Sequence, residues 1–232
     1  NVEIMRKCIV TFADNKVRYQ MGIDQMTESL KKIKFDGDFL CFRNYSEIQS
    51  PTHDEVPYAF KAHAIKKAFE LGYDLVLWMD APVYATKSLT KVFKHIESKG
   101  YLFFDNIGFS IGDYTSDKCL DLMGMTREEA FESKMIMACV MGLHKSKAKM
   151  FTDCYIKLAD AEHYGGDWKN DNLQVSLDKR VKGHRHDQSV ASVLVKQMKM
   201  NITHPHSTFF AYKGHDGHLP HAKTVCLLSH GF

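Results

Sequence analysis

Residues 73–83 read Tyr-Asp-Leu-Val-Leu-Trp-Met-Asp-Ala-Pro-Val. Leu75 to Met79 form a continuous apolar run that stops at Asp80. A run this short, entered through Gly72 from a segment with helical spacing, predicts a strand buried on both faces. Asp80 then lies at the strand's exit, the sheet edge at which open α/β folds bind ligands. A carboxylate held there is suited to a metal ion, a sugar hydroxyl or a proton. Asp before Ala81-Pro82 is also a good turn former, so a plain capping role stays open beside the functional one.

Outward from this strand the chain alternates. Lys7 to Phe12 reads as a first strand, followed by a turn at Asp14-Asn15. Tyr19, Ile23, Met26, Leu30 and Ile33 recur at helical spacing, and Asp38 to Phe42 reads as a second strand. Pro57 opens a helix with Phe60, Ala64, Ala68 and Leu71 on its apolar face, ended by Gly72. Thr86 or Ser88 caps a helix through about Ser98, and Tyr101 to Phe104 reads as a strand. Thr126-x-x-Glu129 has the form of a capping box. Met135 to Leu143 reads as a buried strand and Ser146 to His163 as one helix, with a loop over Gly165–Asn172. Gln188 to Met200 is a second strong helix. Asp187 stands at its start, where the helix dipole and open amides favour a negative charge. The pattern predicts an α/β fold, a mostly parallel sheet with helices on both faces and an irregular C-terminal segment.

The chain has 232 residues, of which 44% are hydrophobic and 25% charged, as expected of a soluble globular protein. We expect one domain over 1–232, with a nucleotide-binding half over 1–105 and an acceptor-side half with a closing segment over 106–232. Flanking segments of a larger multidomain chain are compatible with a sequence that starts at Asn1. No apolar run approaches the ~20 residues needed to cross a bilayer, so no integral membrane segment is expected. The net charge of +3 and the lack of a dense basic stripe argue against a nucleic-acid partner. The six cysteines form no Cys-x-x-Cys pair and read as free thiols of a reducing compartment, here the cytoplasm. The tail from His204 holds six histidines, and His204, His206, His215, His218 and His221 invite a zinc reading. Their spacing matches no standard closed site.

Four segments in order resemble the nucleotide-sugar glycosyltransferases of the GT-A type. They are Ile9-Val10-Thr11-Phe12-Ala13, Pro57-Tyr58-Ala59-Phe60-Lys61 with Leu77-Trp78-Met79-Asp80-Ala81, Ala138-Cys139-Val140-Met141-Gly142-Leu143, and His186-Asp187-Gln188-Ser189. The branch with a Trp-x-Asp-Ala strand end and a later His-Asp-Gln-Ser is the most similar. Similar domains serve bacterial surface polysaccharides and the capsid glycans of large algal viruses. The resemblance implies a Rossmann-like sheet and a nucleoside diphosphate-sugar donor, with uridine nucleotides favoured, and a glycan or glycoconjugate acceptor. Thr11, Phe12 and Ala13 would meet the nucleotide, together with Trp78, Met79, Asp80 and Ala81. Lys61 would point toward the diphosphate or donor sugar, with a surface lysine as the alternative. The C-terminal segment would close over the diphosphate, Lys213 contacting phosphate and His206 supplying a metal ligand.

This chain departs from the family where Asp-x-Asp is expected, because Asp80-Ala81-Pro82 lacks the second acid. Mn²⁺ or Mg²⁺ prefers several oxygen ligands, so either Asp80 holds the cation with diphosphate oxygens or lysines replace it. Glycosyl transfer needs the leaving diphosphate stabilised and, in inverting enzymes, a base for the acceptor hydroxyl. Asp187 is the candidate base, or a donor-sugar contact if configuration is retained, or an ordinary helix cap. Asp105, Asn106, His186 and Gln188 are candidate acceptor contacts. A nucleotidyltransferase uses a similar sheet, but Ala13-Asp14-Asn15-Lys16 is not its Gly-rich loop. A nucleotide- or glycan-binding domain without catalysis is the other alternative.

Overall fold

The structure, a computed structural model, describes residues 5–204, 209–214 and 220–230. Strands β1 (Lys7–Phe12), β2 (Asp38–Phe42), β3 (Leu75–Met79), β5 (Tyr101–Ser110) and β6 (Lys134–His144) form one sheet in the order β2-β1-β3-β6-β5. β1 pairs in parallel with β2 and β3, and β6 pairs antiparallel with β3 and β5. Four strands therefore share a direction while two of the four pairings are antiparallel, so the expected mostly parallel sheet is a mixed one. The reason lies in β6, which is buried from Met135 to His144. An apolar run covered on both faces carries no mark of direction. β6 sets Val140 opposite Met79 and His144 opposite Leu75. Its first residues therefore project past the end of β3, beside Asp80. β5 also runs through the 105/106 boundary between the two expected halves.

Helices cover both faces, and strand alternation sorts the core between them. Ile9, Leu75, Leu77 and Met79 pack against α1 (Val17–Lys32) and α3 (Thr90–Lys99). Val10, Phe12, Val76 and Trp78 pack against α2 (Ala59–Glu70), α6 (Lys149–Lys157) and α8 (Asp187–Gln197). Asp80 follows Val76 and Trp78 at the same period of two and so belongs to the α2–α8 face. Thr126 caps α5 (Arg127–Phe131) by accepting from the Glu129 amide, as the capping motif predicts. α4 (Asp117–Met123) precedes it, capped by Ser116.

The single helix expected over 146–163 is interrupted. Asp160 accepts from the amides of Glu162 and His163 and starts a new short helix, α7 (Ala161–Tyr164). An Asp side chain that bonds nearby amides competes with helix continuation. The C-terminal segment is less irregular than expected. β4 (Val83–Ala85), β7 (Phe210–Tyr212) and β8 (Leu227–Ser229) form a second sheet in the order β4-β8-β7. Three-residue strands are too short to show alternation. No helix among the described residues is long and apolar enough to cross a membrane.

α1 lies directly against the turn that follows β3. A Cβ added to Gly22 would stand 2.5 Å from the Ala81 carbonyl oxygen. In an exposed helix Gly→Ala gains about 1 kcal/mol. Here the overlap with backbone should reverse the sign, and Gly22→Ala should lower stability by about 1–3 kcal/mol. Urea unfolding measures this, and a stabilised variant would show that α1 does not hold the Asp80 turn.

Candidate functional site

Asp80 ends β3 with its amide bonded to the Cys139 carbonyl (2.8 Å) and its own carbonyl accepting from Val83 (2.9 Å). The backbone is thereby fixed on both sides. Because residues 78 and 80 share a face, the Trp78 indole donates to Asp80 Oδ1 at 2.6 Å. Lys61 Nζ stands 3.3 Å from the same oxygen, and the Asp80 side chain keeps 35% of its surface open.

Lys61 itself is 2% exposed. Its ammonium reaches the Ala138 carbonyl at 2.8 Å, Asp187 Oδ2 at 2.8 Å and Asp80 Oδ1 at 3.3 Å. An ammonium has three donors, so these partners saturate it. Burial works against its charge, but Asp187 and then Asp80 outweigh burial and raise its pKa. Asp187 is 3% exposed and opens α8, where the helix N-terminus adds a favourable dipole. Burial pushes its carboxyl pKa up, and Lys61 pulls it back. Tyr155 donates to Asp187 Oδ2 at 3.4 Å.

Two residues at helix starts carry left-handed or strained backbone. Tyr58, before α2, has φ 62°, and His186, before α8, has φ 51° and ψ −116°. Such angles cost of order 1–3 kcal/mol and persist where surroundings impose them. Here they aim the two rings at each other, with centroids 5.4 Å apart and planes 24° from parallel. His186 Nδ1 donates to the Tyr164 carbonyl at 2.7 Å, and burial lowers its pKa. Burial, then the nearby Asp187 charge, raises the Tyr58 phenol to about 12.

A pocket of ≈ 240 Å³ opens at the C-terminal ends of β1 and β3. Its wall is aromatic, formed by Phe12, Tyr45, Tyr58, Phe60 and Trp78. Phe12 stacks on Phe60 at 4.7 Å and packs on Tyr45 at 4.8 Å. The opposite rim holds Asp14, Lys16, Arg18 and Tyr19, with Asp80 and Ala81 on the strand side. Lys16 is the N-cap of α1 without a side-chain cap bond, and no acid occupies the first turn. Asp14 accepts from the Lys16 amide at 3.0 Å and stands 3.4 Å from its ammonium, so this helix start carries two cations and one acid. A flat apolar wall facing a basic rim suits an aromatic ring that carries an anionic tail.

Of the residues expected at a site, Phe12, Ala13, Trp78, Asp80 and Ala81 line this pocket. Thr11 and Met79 do not. Phe12 and Trp78 lie on the α2–α8 face, so within the strands Thr11 and Met79 point to the other side, where Met79 joins the α1–α3 core. Lys61 lies beneath the pocket floor, fully engaged, instead of pointing into it. Lys213 is exposed beside β7, its amide bonded to the Ser229 carbonyl, and is not in the lining. Asp105 is buried and paired with Lys134 at 2.7 Å, and Asn106 follows it in β5. Gln188 donates to the Ile136 carbonyl at 2.7 Å and so ties α8 to β6. Asp187 meets Asp80 through Lys61 but is sealed from the pocket. Sequence reasoning missed Asp14, Lys16, Arg18, Tyr19, Tyr45, His53, Tyr58 and Phe60 as pocket residues. Their one shared signal is position, just past the ends of β1 and β2 or around the start of α2.

The described residues hold no metal site made of protein ligands alone. None of them forms a group of three or more His, Cys, Asp or Glu able to hold a metal. Asp80 Oδ1 already takes two donors, and His206, His215 and His218 lie outside the described residues. All six cysteines are free.

No family model matches the chain, and no curated protein matches it. Among solved structures it is similar to the crystal structure of a glycosyltransferase involved in the glycosylation of the major capsid of PBCV-1. The match has a TM-score of 0.57 at 13% identity and covers 97% of this chain and 92% of that one. The α/β architecture described above is thus similar to that of a known glycosyltransferase.

Removing one partner of a buried ion pair leaves the other charge uncompensated. Lys61→Met should cost about 3–5 kcal/mol of stability, and adding Asp187→Asn should restore a large part of it. Denaturant unfolding of the two variants measures this. A Lys61→Met protein as stable as the wild type would show that the ammonium is not the centre of the cluster.

Proposed function

We propose that the pocket binds a nucleoside diphosphate-sugar and that the protein is a glycosyltransferase, moving the sugar to a hydroxyl of a glycan or glycoconjugate. The observation that carries this reading is Asp80, a partly open carboxylate fixed at the C-terminal end of the central strand and facing an aromatic pocket with a basic rim. Ligands of open α/β sheets bind at this edge. The similarity in fold to a glycosyltransferase supports the reading.

In this arrangement the base stacks within the Phe12, Tyr45 and Phe60 wall. The diphosphate lies toward Lys16, Arg18 and the start of α1. These cations meet the charge that builds on the leaving group, the task a metal performs where one is bound. Asp80 contacts the donor sugar or its phosphate. A general base must come within hydrogen-bond reach of the acceptor hydroxyl. Asp187 is buried and held by Lys61, so we assign it to the donor side, where it positions Lys61 and Asp80. His186 is buried and its Nδ1 is held by the Tyr164 carbonyl, so we assign it to backing the Tyr58 ring. A nucleotide-binding domain without catalysis is the second reading, favoured by the single open acid at the strand end.

UDP, GDP, TDP and CMP, each with and without Mn²⁺, distinguish these readings by thermal unfolding. One nucleoside diphosphate, UDP being the first to test, should raise stability by ~2.7 kcal/mol at 100 times its Kd. Mn²⁺ should add little. Asp80→Asn should fold normally and lose most turnover of the cognate nucleotide-sugar. Binding without turnover in the wild type would favour the non-catalytic reading, and no stabilisation by any nucleotide would contradict both.

A further inference from the structure

The chain has two tryptophans, and they are placed in opposite ways. Trp78 is 1% exposed, whereas Trp168 leaves 48% of its surface open. Trp168 lies in the segment between α7 and α8, which has no helix or strand yet is closely tied. The buried Asn170 side chain accepts from the amides of Val175 and Ser176 and donates to the carbonyls of Ser176 and Val181. The Asn170 amide bonds the Lys182 carbonyl, and the His184 amide bonds the Asp167 carbonyl. A Cβ at Gly183 would stand 1.9 Å from the Trp168 carbonyl oxygen, so only glycine lets the two stretches of backbone meet.

The indole is fixed as firmly as its loop. The Arg185 guanidinium lies 3.8 Å over the Trp168 ring and 4.0 Å over the Tyr114 ring, and it donates to the Trp168 carbonyl. The ring also stacks near His186 (5.7 Å) and Tyr58 (6.3 Å). Tyr58 is itself a wall of the pocket. Trp168 thus stands one ring beyond the pocket, and Tyr58 lies 6.0 Å from the Lys61 ammonium that touches Asp80.

We infer that Trp168, with Arg185 beside it, is a platform for a saccharide ring of the acceptor, an inference that rests on the glycosyltransferase reading above. Arg185 covers one face of this rigid indole, and the half of the residue left open beside that guanidinium matches a pyranose ring. Such a ring offers C–H groups to an aromatic face and hydroxyls to a guanidinium. Rigid aromatics and Arg supply contact area at low entropic cost and anchor recognition surfaces. Tyr58 links the two places, its ring 6.3 Å from that of Trp168 and 6.0 Å from the Lys61 ammonium that touches Asp80.

Two tryptophans give two indole N–H signals in a ¹H–¹⁵N spectrum, assigned by loss of one in Trp168→Phe. The test titrates the protein with UDP and, separately, with methyl glycosides of glucose, galactose, mannose, xylose, rhamnose and N-acetylglucosamine. At least one glycoside should move the Trp168 signal saturably and leave Trp78 in place, while UDP moves Trp78. Trp168→Ala should weaken glycoside binding by about tenfold and leave UDP binding unchanged, with Trp168→Phe in between. The platform is overturned if no glycoside moves Trp168, or if Trp168→Ala binds the glycoside as wild type does. Glycoside binding at Trp168 with no UDP effect on Trp78 would keep the saccharide site and overturn its role as an acceptor site.

Discussion

The site depends on one buried ammonium with three acceptors. Lys61 comes from α2, Ala138 from the projecting start of β6, Asp80 from the end of β3 and Asp187 from the first turn of α8. A buried charge is tolerated only when paired and hydrogen-bonded, and each member here supplies what the others need. Lys61 makes the burial of Asp187 affordable in free energy, and Asp187 keeps Lys61 charged against desolvation. Between them they orient one oxygen of Asp80, which the Trp78 indole also holds. The carboxylate that faces the pocket is therefore set from behind by Lys61 and Asp187, which lie outside the pocket lining.

This saturation moves the basic chemistry elsewhere. A lysine with all three donors engaged has none to give a phosphate. The cations that face the pocket are Lys16 and Arg18, at the start of a helix whose first turn carries no acid. The missing second acid after Asp80 and the basic rim agree in kind. On the reading proposed above, Lys16 and Arg18 take the place of a second acid and its metal, with Asp14 paired to Lys16. Preorganised charge of this sort stabilises a developing anion without rearrangement at the moment of reaction. The two strained helix starts, Tyr58 and His186, complete the arrangement by stacking between the pocket and Trp168.

Much of the framework was legible in the sequence. β1, β2 and β3 are short apolar runs bounded by turns, and Asp80 falls at the strand end as the run predicts. The structure brings Asp187, at the start of α8, to the Asp80 end of β3, where the two are joined through Lys61. The direction of β6 was hidden because both its faces are apolar, and the break before α7 because Asp160 outcompetes a helical pattern. The placement of Thr11 and Met79 was legible in principle: the period of two puts them behind Phe12 and Trp78. Two things were not legible. One is the full engagement of Lys61, which needs the β6 carbonyl to arrive from 77 residues away. The other is the aromatic wall, since Tyr45 opens a four-residue 3-10 helix and Tyr58 sits in a turn, too short for a period to mark a face.

The most direct measurement is a crystal structure of the protein with UDP bound. The account predicts the base within the Phe12, Tyr45 and Phe60 wall and the diphosphate between Lys16, Arg18 and Asp80. It also predicts that Lys61 stays paired with Asp187 beneath the pocket floor. A nucleotide bound away from the ends of β1 and β3, or one whose phosphate draws Lys61 out of its pair, would contradict it.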